Sequence, residues 1–128
     1  MGGSQKRPNI HIDDMTDLYL LLLAQPDARI DGKTFNAGSE NRTLLELADI
    51  VKTVVDDEVS IVVEPTDDLG SYQVSSDRLR REMGFVPRRT VEDAVSDLVA
   101  AFRSGKIPES VGNPKSFNSK TTRRVNLE

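Results

Sequence analysis

The chain has 128 residues, about the size of one domain, with 21 acidic and 17 basic side chains and a formal net charge of −4. This mild balance gives no reason to expect nucleic acid or an anionic membrane as a partner. The absence of cysteine excludes disulfides, thiolate metal sites and thiol nucleophiles, and it suits a cytoplasmic location. Hydrophobic residues make up only 37%, so we expect a small domain with a large wetted surface, or a piece that packs on something else.

The first predicted element is a short extended stretch at residues 9–12, followed by a helix. Asp13 suits the N-cap position, because its carboxylate can accept from the first backbone amides. The helix runs through residues 17–24, Asp-Leu-Tyr-Leu-Leu-Leu-Leu-Ala. This run is far short of the roughly 20 apolar residues that cross a bilayer. Since it is apolar nearly all round, we expect it to be buried on more than one side.

The middle of the chain predicts a loop, a strand, a helix and a second strand. Pro26 and Gly32 bracket the loop, and residues 34–37 form the short strand. The clearest helix opens at Thr43, because apolar residues then recur at the i, i+3, i+4, i+7 spacing of one helical face. Residues 58–63 are rich in β-branched side chains and predict the second strand. The apolar positions of the helix are Leu44, Leu47, Ala48, Val51, Val54 and Val55.

Two further helices are predicted in the second half. Ser76 can cap a short helix that Gly84 terminates. Thr90 and Asp93 form a variant capping box, which opens a last helix that ends at Gly105.

These elements predict a mixed α/β lobe with about four helices and three or four short strands. Three short strands are too few for an independent doubly wound sheet, so we expect a lobe rather than a whole enzyme. Residues 1–108 form this lobe, and residues 109–128 form a polar, partly disordered tail whose final Leu-Glu resembles a tag remnant. The predicted core consists of Leu20, Leu23, Phe35, Leu44, Leu47, Val51, Ile61, Val63, Leu79, Val95, Leu98 and Phe102.

Two groups of side chains resemble metal sites, and each has a simpler interpretation. His11 is followed by Asp13 and Asp14, but Asp13 can cap the helix while His11 makes a local hydrogen bond on a strand. Transition-metal sites normally recruit several nitrogen or sulfur ligands. The acidic residues at 64–68 could bind a cation, although an acidic turn is usually a solvated loop. We predict no metal site, and no G-x-S-x-G elbow or glycine-rich phosphate loop indicates a catalytic centre.

Three segments in succession resemble motifs of the extended short-chain dehydrogenases. Residues 7–14, Arg-Pro-Asn-Ile-His-Ile-Asp-Asp, resemble R-x-x-I-H-V-x-D. Residues 34–39, Thr-Phe-Asn-Ala-Gly-Ser, resemble x-(F/Y)-N-x-G-(S/G). Residues 71–87 resemble the block Y-x-x-(D/S)-x-(S/D)-K-x-x-x-x-L-G-(F/W)-x-P, and the whole resemblance covers residues 3–108.

The resemblance implies the C-terminal, substrate-binding lobe of a Rossmann-type, NAD-dependent nucleotide-sugar epimerase or dehydratase. The other half of such enzymes carries the glycine-rich turn for NAD and a Tyr-x-x-x-Lys pair, and neither occurs here. We therefore expect no catalytic residue, no cofactor in this chain, NAD in the parent protein, and no turnover by the chain alone. The implied partners are a nucleotide-diphosphate sugar and the NAD-binding domain of the parent chain.

The resemblance also implies four substrate-binding residues. Arg7 matches an arginine that contacts the diphosphate, Asn36 and Tyr72 match residues near the nucleotide, and Asp68 matches an acid that touches the sugar or ribose. Each residue also has a purely structural interpretation. Arg7 could be a surface arginine, Asn36 could cap the end of a strand, Tyr72 could be a core residue, and Asp68 could lie in a solvated turn. The family usually has another arginine before the tyrosine, about where Gly70 stands, so we expect weak binding.

Two other interpretations stay open. The chain could be a non-enzymatic α/β interaction module that reuses this lobe, or a small free-standing protein of unrelated role. Both interpretations predict that the chain starts naturally at Met1. The interpretation as an enzyme lobe instead predicts an upstream nucleotide-binding domain in the gene.

Overall fold

The computed structural model describes residues 2–56, 58–65, 67, 70–107 and 112–113. Its elements are β1 (Lys6–Asn9), α1 (Ile12–Leu23), α2 (Asp27–Ile30), β2 (Glu40–Thr43), α3 (Leu44–Val55), α4 (Asp77–Met83) and α5 (Val91–Arg103). The predicted mixed α/β class is confirmed, with five helices and one two-stranded sheet in this part of the chain. The chain divides into two compact units, Met1–Asp97 and Leu98–Glu128.

The sheet pairs β1 and β2 antiparallel, with Lys6 opposite Thr43. An extended segment, residues 70–76, runs beside β1. The Lys6 amide donates to Ser71 Oγ at 3.0 Å, and the Tyr72 amide donates to the Lys6 carbonyl at 3.3 Å. Residues distant in sequence are thereby placed next to β1.

Side chains hold the same segment farther along. Asn41 Nδ2 donates to the Val74 carbonyl and Asn41 Oδ1 accepts from the Val74 amide, both at 3.0 Å. This side-chain amide makes the pair of hydrogen bonds that a neighbouring strand would make. Ser76 Oγ accepts from the Gly38 amide and donates to the Gly38 carbonyl, both at 2.8 Å.

Two predicted strands, residues 34–37 and 58–63, are not strands in the structure. The Thr34 carbonyl accepts from Arg78 Nη1 at 3.0 Å rather than from a neighbouring strand. The sequence analysis does not predict β2, because Glu-Asn-Arg-Thr lacks the β-branched alternation of a strand. Its pairing with β1 depends on residues far away in sequence. The predicted loop between Pro26 and Gly32 contains the short helix α2.

Helix α1 begins at Ile12, and its N-cap is His11 rather than Asp13. His11 Nδ1 accepts from the Asp13 amide at 3.1 Å, and Nε2 lies 3.3 Å from Oδ2 of Asp97. The His11 imidazole is therefore the side-chain acceptor that caps the helix, the role predicted for the Asp13 carboxylate. Asp13 lies in the first turn, where its charge suits the helix dipole.

Asp14 is a buried carboxylate that joins α1 to the loop before α5. Its Oδ2 accepts from the amides of Arg88 at 3.1 Å and Arg89 at 2.9 Å, and its Oδ1 pairs with Arg89 Nη1 at 2.8 Å. The guanidinium also reaches Asp17 at 3.0 Å. The hydrogen bond to Asp17 is the largest cause that raises the pKa of Arg89, so this residue stays charged.

Capping boxes open α3 and α5. The Glu46 amide donates to Thr43 Oγ1 at 3.1 Å, and the Thr43 amide donates back to Glu46 at 2.7 Å. Thr90 and Asp93 make the same pair at 3.1 and 2.8 Å, which confirms the predicted box. The hydrogen bonds from the threonine amides lower the pKa of both carboxyl groups.

Helix α4 has the predicted position but not the predicted cap. Ser76 makes no capping hydrogen bond, because its hydroxyl is bound to Gly38. Ser75 Oγ instead accepts from the Asp77 amide at 3.2 Å. Gly84, with a φ of 71°, ends the helix as predicted.

The buried core is small. Leu79 is fully buried and Val95 is buried, as predicted, and Leu18 and Met83 pack with Leu79. On α1 only one side contacts this core. Three predicted core residues are half-buried: Phe35, Leu47 and Ile61. The core prediction is wrong for residues that are exposed: Leu20, Leu23, Leu44, Val51, Val63, Leu98 and Phe102.

The second unit contains the last turns of α5 and its C-cap. The Gly105 amide donates to the Phe102 carbonyl and the Lys106 amide donates to the Ala101 carbonyl, both at 3.0 Å. Gly105 has a φ of 71°, as a helix-terminating glycine does. Apart from residues 112–113, the predicted tail at 109–128 lies outside the described residues. The predicted boundary at residue 108 therefore stays a prediction.

Candidate functional site

The candidate site contains Arg7 of β1 and Tyr72 of the extended segment. The guanidinium carbon of Arg7 lies 4.6 Å from the centre of the Tyr72 ring, a cation–π arrangement. Arg7 Nη1 donates to the Gly70 carbonyl at 2.5 Å and to the Lys6 carbonyl at 3.0 Å. The fold thus brings together two of the four residues that the sequence predicts for the site.

The backbone fixes the spacing of this pair. Asn9 Nδ2 donates to the Arg7 carbonyl at 2.8 Å, and the Tyr72 amide is bound to the Lys6 carbonyl. Both side chains therefore project from backbone that is held on β1. Tyr72 is 55% exposed, so a ligand can reach the pair from solvent.

The other two predicted residues are not joined to this pair in the described part of the chain. Asn36 is exposed, and its side chain makes no hydrogen bond to a described residue. The neighbouring Phe35 ring lies 5.1 Å from the Arg78 guanidinium, which fixes the chain beside Asn36. Asp68 lies outside the described residues.

A second arginine, which the sequence analysis did not single out, stands on β2. Arg42 lies directly opposite Arg7 in the strand register, so the two side chains leave the same face of the sheet. Glu40 binds the Arg42 guanidinium at 2.5 Å, and this hydrogen bond is the largest cause that raises the pKa of Arg42. The pairing of two polar strands positions Arg42, and no local pattern indicates it.

A cavity of about 670 Å³ opens beside the segment that follows Tyr72. Its lining combines Gln73 and Arg80 with the apolar residues Val86 and Pro87. Arg7, Asn36 and Tyr72 are not among its lining residues, so the predicted residues do not converge on this cavity.

Within the described residues, no group of three or more His, Cys, Asp or Glu side chains could hold a metal ion. Nor does that part of the chain contain a helix with the length and apolar character needed to cross a membrane.

No known protein family and no curated protein matches the sequence, but solved structures match its fold. RMD from Pseudomonas aeruginosa, complexed with NADPH, is 22% identical with a TM-score of 0.68. UDP-glucose 4-epimerase from Thermotoga maritima, with UDP-glucose, is 20% identical with a TM-score of 0.69. UDP-glucose 4-epimerase from Bifidobacterium longum, in complex with NAD⁺ and UDP, is 14% identical with a TM-score of 0.65.

These matches cover 81–82% of this chain and 33–34% of the matched chains, so the chain spans about a third of their length. The resemblance inferred from the three sequence segments is confirmed at the level of the fold. The chain has the fold of one part of a Rossmann-type, NAD-dependent sugar-nucleotide enzyme.

Proposed function

We propose that this chain is the nucleotide-sugar-binding lobe of an NAD-dependent epimerase or dehydratase, and that the parent protein supplies the NAD-binding and Tyr-x-x-x-Lys half. The stacked pair of Arg7 and Tyr72 is the observation that carries the proposal. UDP and UDP-glucose in matched structures support the substrate class. The absence of cysteine supports a cytoplasmic location.

Arg7 suits a diphosphate for electrostatic and geometric reasons. A guanidinium offers a charged, planar set of donors that matches phosphate oxygens. The carbonyls of Lys6 and Gly70 accept hydrogen bonds from Arg7 Nη1 and so orient the guanidinium. The Tyr72 ring fixes its plane. The side chain is therefore partly ordered before a ligand arrives, which lowers the entropic cost of binding.

The chain's own residues do not fit the cofactor. A dinucleotide site needs a glycine turn between a strand and the N-terminus of a helix. The Gly-Gly pair at residues 2–3 precedes a strand instead, and a Cβ on Gly3 would lie 2.6 Å from Leu45 Cγ. This glycine therefore permits packing against α3. In our proposal the lobe binds and orients the nucleotide diphosphate, and NAD on the parent domain supplies the hydride chemistry.

UDP titration followed by amide chemical shifts tests the proposal. We expect weak binding, in the range of roughly 1 mM, because part of the pocket lies outside this lobe. Shifts should occur around Arg7 and Tyr72, and Asn36 should respond as well if it contacts the nucleotide. Affinity should fall with added salt, since an exposed charge contact is screened over about 10 Å at about 0.1 M salt.

Arg7→Ala should remove this binding, whereas the matched control Arg81→Ala, which removes an exposed arginine of α4, should not. Tyr72→Phe keeps the ring under the guanidinium and should bind UDP nearly as well as the wild type. Tyr72→Leu should bind more weakly. Binding that is indifferent to Arg7→Ala would show that the diphosphate is held elsewhere and would refute the proposal.

A further inference from the structure

Two arginines lie opposite each other across the sheet. Arg7 of β1 and Arg42 of β2 are partners in the strand register, so their side chains leave the same face. The carbonyls of Gln5 and Asn9, two residues to either side of Arg7, accept from the amides that flank β2, at 3.1 and 2.7 Å. Because backbone groups alternate along a strand, Arg7 also turns its carbonyl towards β2, and such a pair has Cα atoms about 5.5 Å apart. An arginine side chain is longer than this separation, so the two guanidinium groups can reach one ligand.

This arrangement has an electrostatic cost, because like charges directly opposite each other on one sheet face are destabilising. Glu40 reduces the cost. It lies two residues before Arg42 on the same strand and binds the Arg42 guanidinium at 2.5 Å. Glu40 Oε1 also accepts from the Val91 amide at 3.4 Å, which holds the carboxylate near the start of α5. The sheet therefore carries a second cation beside Arg7, and its carboxylate partner can be exchanged for another anion.

We propose that Arg42 is a second diphosphate-binding residue, which leaves Glu40 when the ligand binds and contacts one phosphate while Arg7 contacts the other. This inference rests on the proposed function. Each phosphate of a nucleotide-diphosphate sugar carries a negative charge, so two guanidinium groups side by side match the ligand better than one.

The exchange of partners is favourable because the ion pair between Arg42 and Glu40 is only partly buried. The Arg42 side chain is 38% exposed, so solvent screens this pair. A phosphate instead offers the guanidinium two parallel, charge-assisted hydrogen bonds. Arg7 is oriented by the Lys6 and Gly70 carbonyls and does not have to leave Glu40. We therefore expect Arg7 to bind a ligand that has a single phosphate.

Titrations with UDP and UMP, followed by amide chemical shifts, test the role of Arg42. In the wild type we expect UDP to bind about ten times more tightly than UMP, because its second phosphate contacts Arg42. Arg42→Ala should weaken UDP binding about tenfold and leave UMP binding unchanged, so the two affinities become similar. The matched control Arg81→Ala, on exposed α4 surface, should keep the preference for UDP. Equal losses for UDP and UMP in Arg42→Ala would show that Arg42 only supports the sheet, and would overturn the proposal.

Glu40→Gln tests the exchange of partners. This substitution removes the competing charge, so it should tighten UDP binding about threefold. In an Arg42→Ala background the same substitution should have little effect on UDP binding, since the side chain that Glu40 withholds is gone. Tightening of equal size in both backgrounds would show a general effect of charge and would overturn the exchange.

The Arg7→Ala titration separates this inference from the proposed function. Loss of UDP binding in Arg7→Ala, together with unchanged UDP binding in Arg42→Ala, would refute the role of Arg42 alone. UDP binding that is indifferent to Arg7→Ala would refute the proposed substrate site itself.

Discussion

Among single residues, Asp14 makes the largest set of long-range hydrogen bonds described above for the first unit. It is buried on α1 and binds two amides and one guanidinium from the loop before α5. Asp14 directly follows Asp13, the predicted N-cap, so the sequence analysis considered it only beside that cap and as a possible metal ligand. Its true partners, Arg88 and Arg89, are 74 and 75 positions away.

Asp14→Asn should lower the free energy of unfolding by roughly 1–3 kcal/mol, because an amide cannot accept from both backbone N–H groups and the guanidinium together. The carboxamide oxygen can still accept from both backbone N–H groups, but the NH2 group then faces Arg89 Nη1 and the acceptor is no longer charged, so the hydrogen bonds are weakened and the ion pair is lost. Asp17→Asn is the control, because it touches the same guanidinium from an exposed position. Urea unfolding should show little change for Asp17→Asn. Equal losses for both variants would contradict this account.

Leu79 and Leu20 test where the core lies. Leu79→Ala should cost roughly 2–5 kcal/mol of unfolding free energy, because Leu79 is fully buried and its truncation leaves a cavity. Leu20→Ala should cost less than about 0.5 kcal/mol, as exposed substitutions usually do. Urea midpoints of the two variants decide the matter. A larger loss for Leu20→Ala would mean that α1 is turned with Leu20 and Leu23 towards the core.

At the scale of elements, the four longer helices were predictable, whereas the short helix α2 and the sheet were not. Helix α3 follows a local apolar period, and the Thr90–Asp93 box is readable within four residues. β1 and β2 carry mostly polar residues, so their pairing is set by the long-range fit of the backbone. The exchange of His11 for Asp13 as the cap has a local cause, since either side chain can accept an amide hydrogen bond at a helix start.

The two capping boxes predict a loss of stability in acid. Hydrogen bonding lowers the folded pKa of Glu46 and of Asp93 below the ordinary values of 4.5 and 3.8. The contribution of such groups is present above the unfolded pKa and is lost as the pH falls through the folded pKa. The urea midpoint should therefore fall on acidification below about pH 5.

The double variant Glu46→Gln, Asp93→Asn is the control for this pH effect. Its amides can accept the same hydrogen bonds but do not titrate, so its urea midpoint should depend less on pH. Some slope should remain, because the pKa values of Asp77 and Glu82 are also lowered, chiefly by hydrogen bonds from Ser75 and Arg78. An identical slope in the wild type and the variant would show that the caps do not govern acid stability.

At the scale of the whole molecule, three ordered motifs were enough to indicate the fold, although the three solved structures described above are only 14–22% identical to the chain. The same motifs placed Arg7 beside Tyr72, because they mark two segments that lie side by side. Burial was poorly predicted. The apolar spacing on α1 indicates which residues would be stabilised by burial, but it does not indicate whether other residues of this chain pack on them.

Isothermal calorimetry with NAD tests the proposal that the cofactor binds to another part of a parent protein. We expect no saturable heat from the isolated chain, because a dinucleotide needs a glycine turn at a helix N-terminus. UDP, under the same conditions, should give a weak signal that Arg7→Ala removes. Micromolar NAD binding to the chain alone would contradict the assignment of the cofactor to another part of the parent protein.

The grip of Asn41 on Val74 has an evolutionary consequence. Asn41 of β2 holds the backbone just beyond Tyr72, and Lys6 of β1 holds it at Ser71 and Tyr72, so the two strands together set the position of the tyrosine. Residues upstream of Gly70 can therefore change in number or charge among descendants while the Tyr72 ring stays beside Arg7. Under the proposed function, substrate preference can then diverge without loss of the residues that bind the diphosphate.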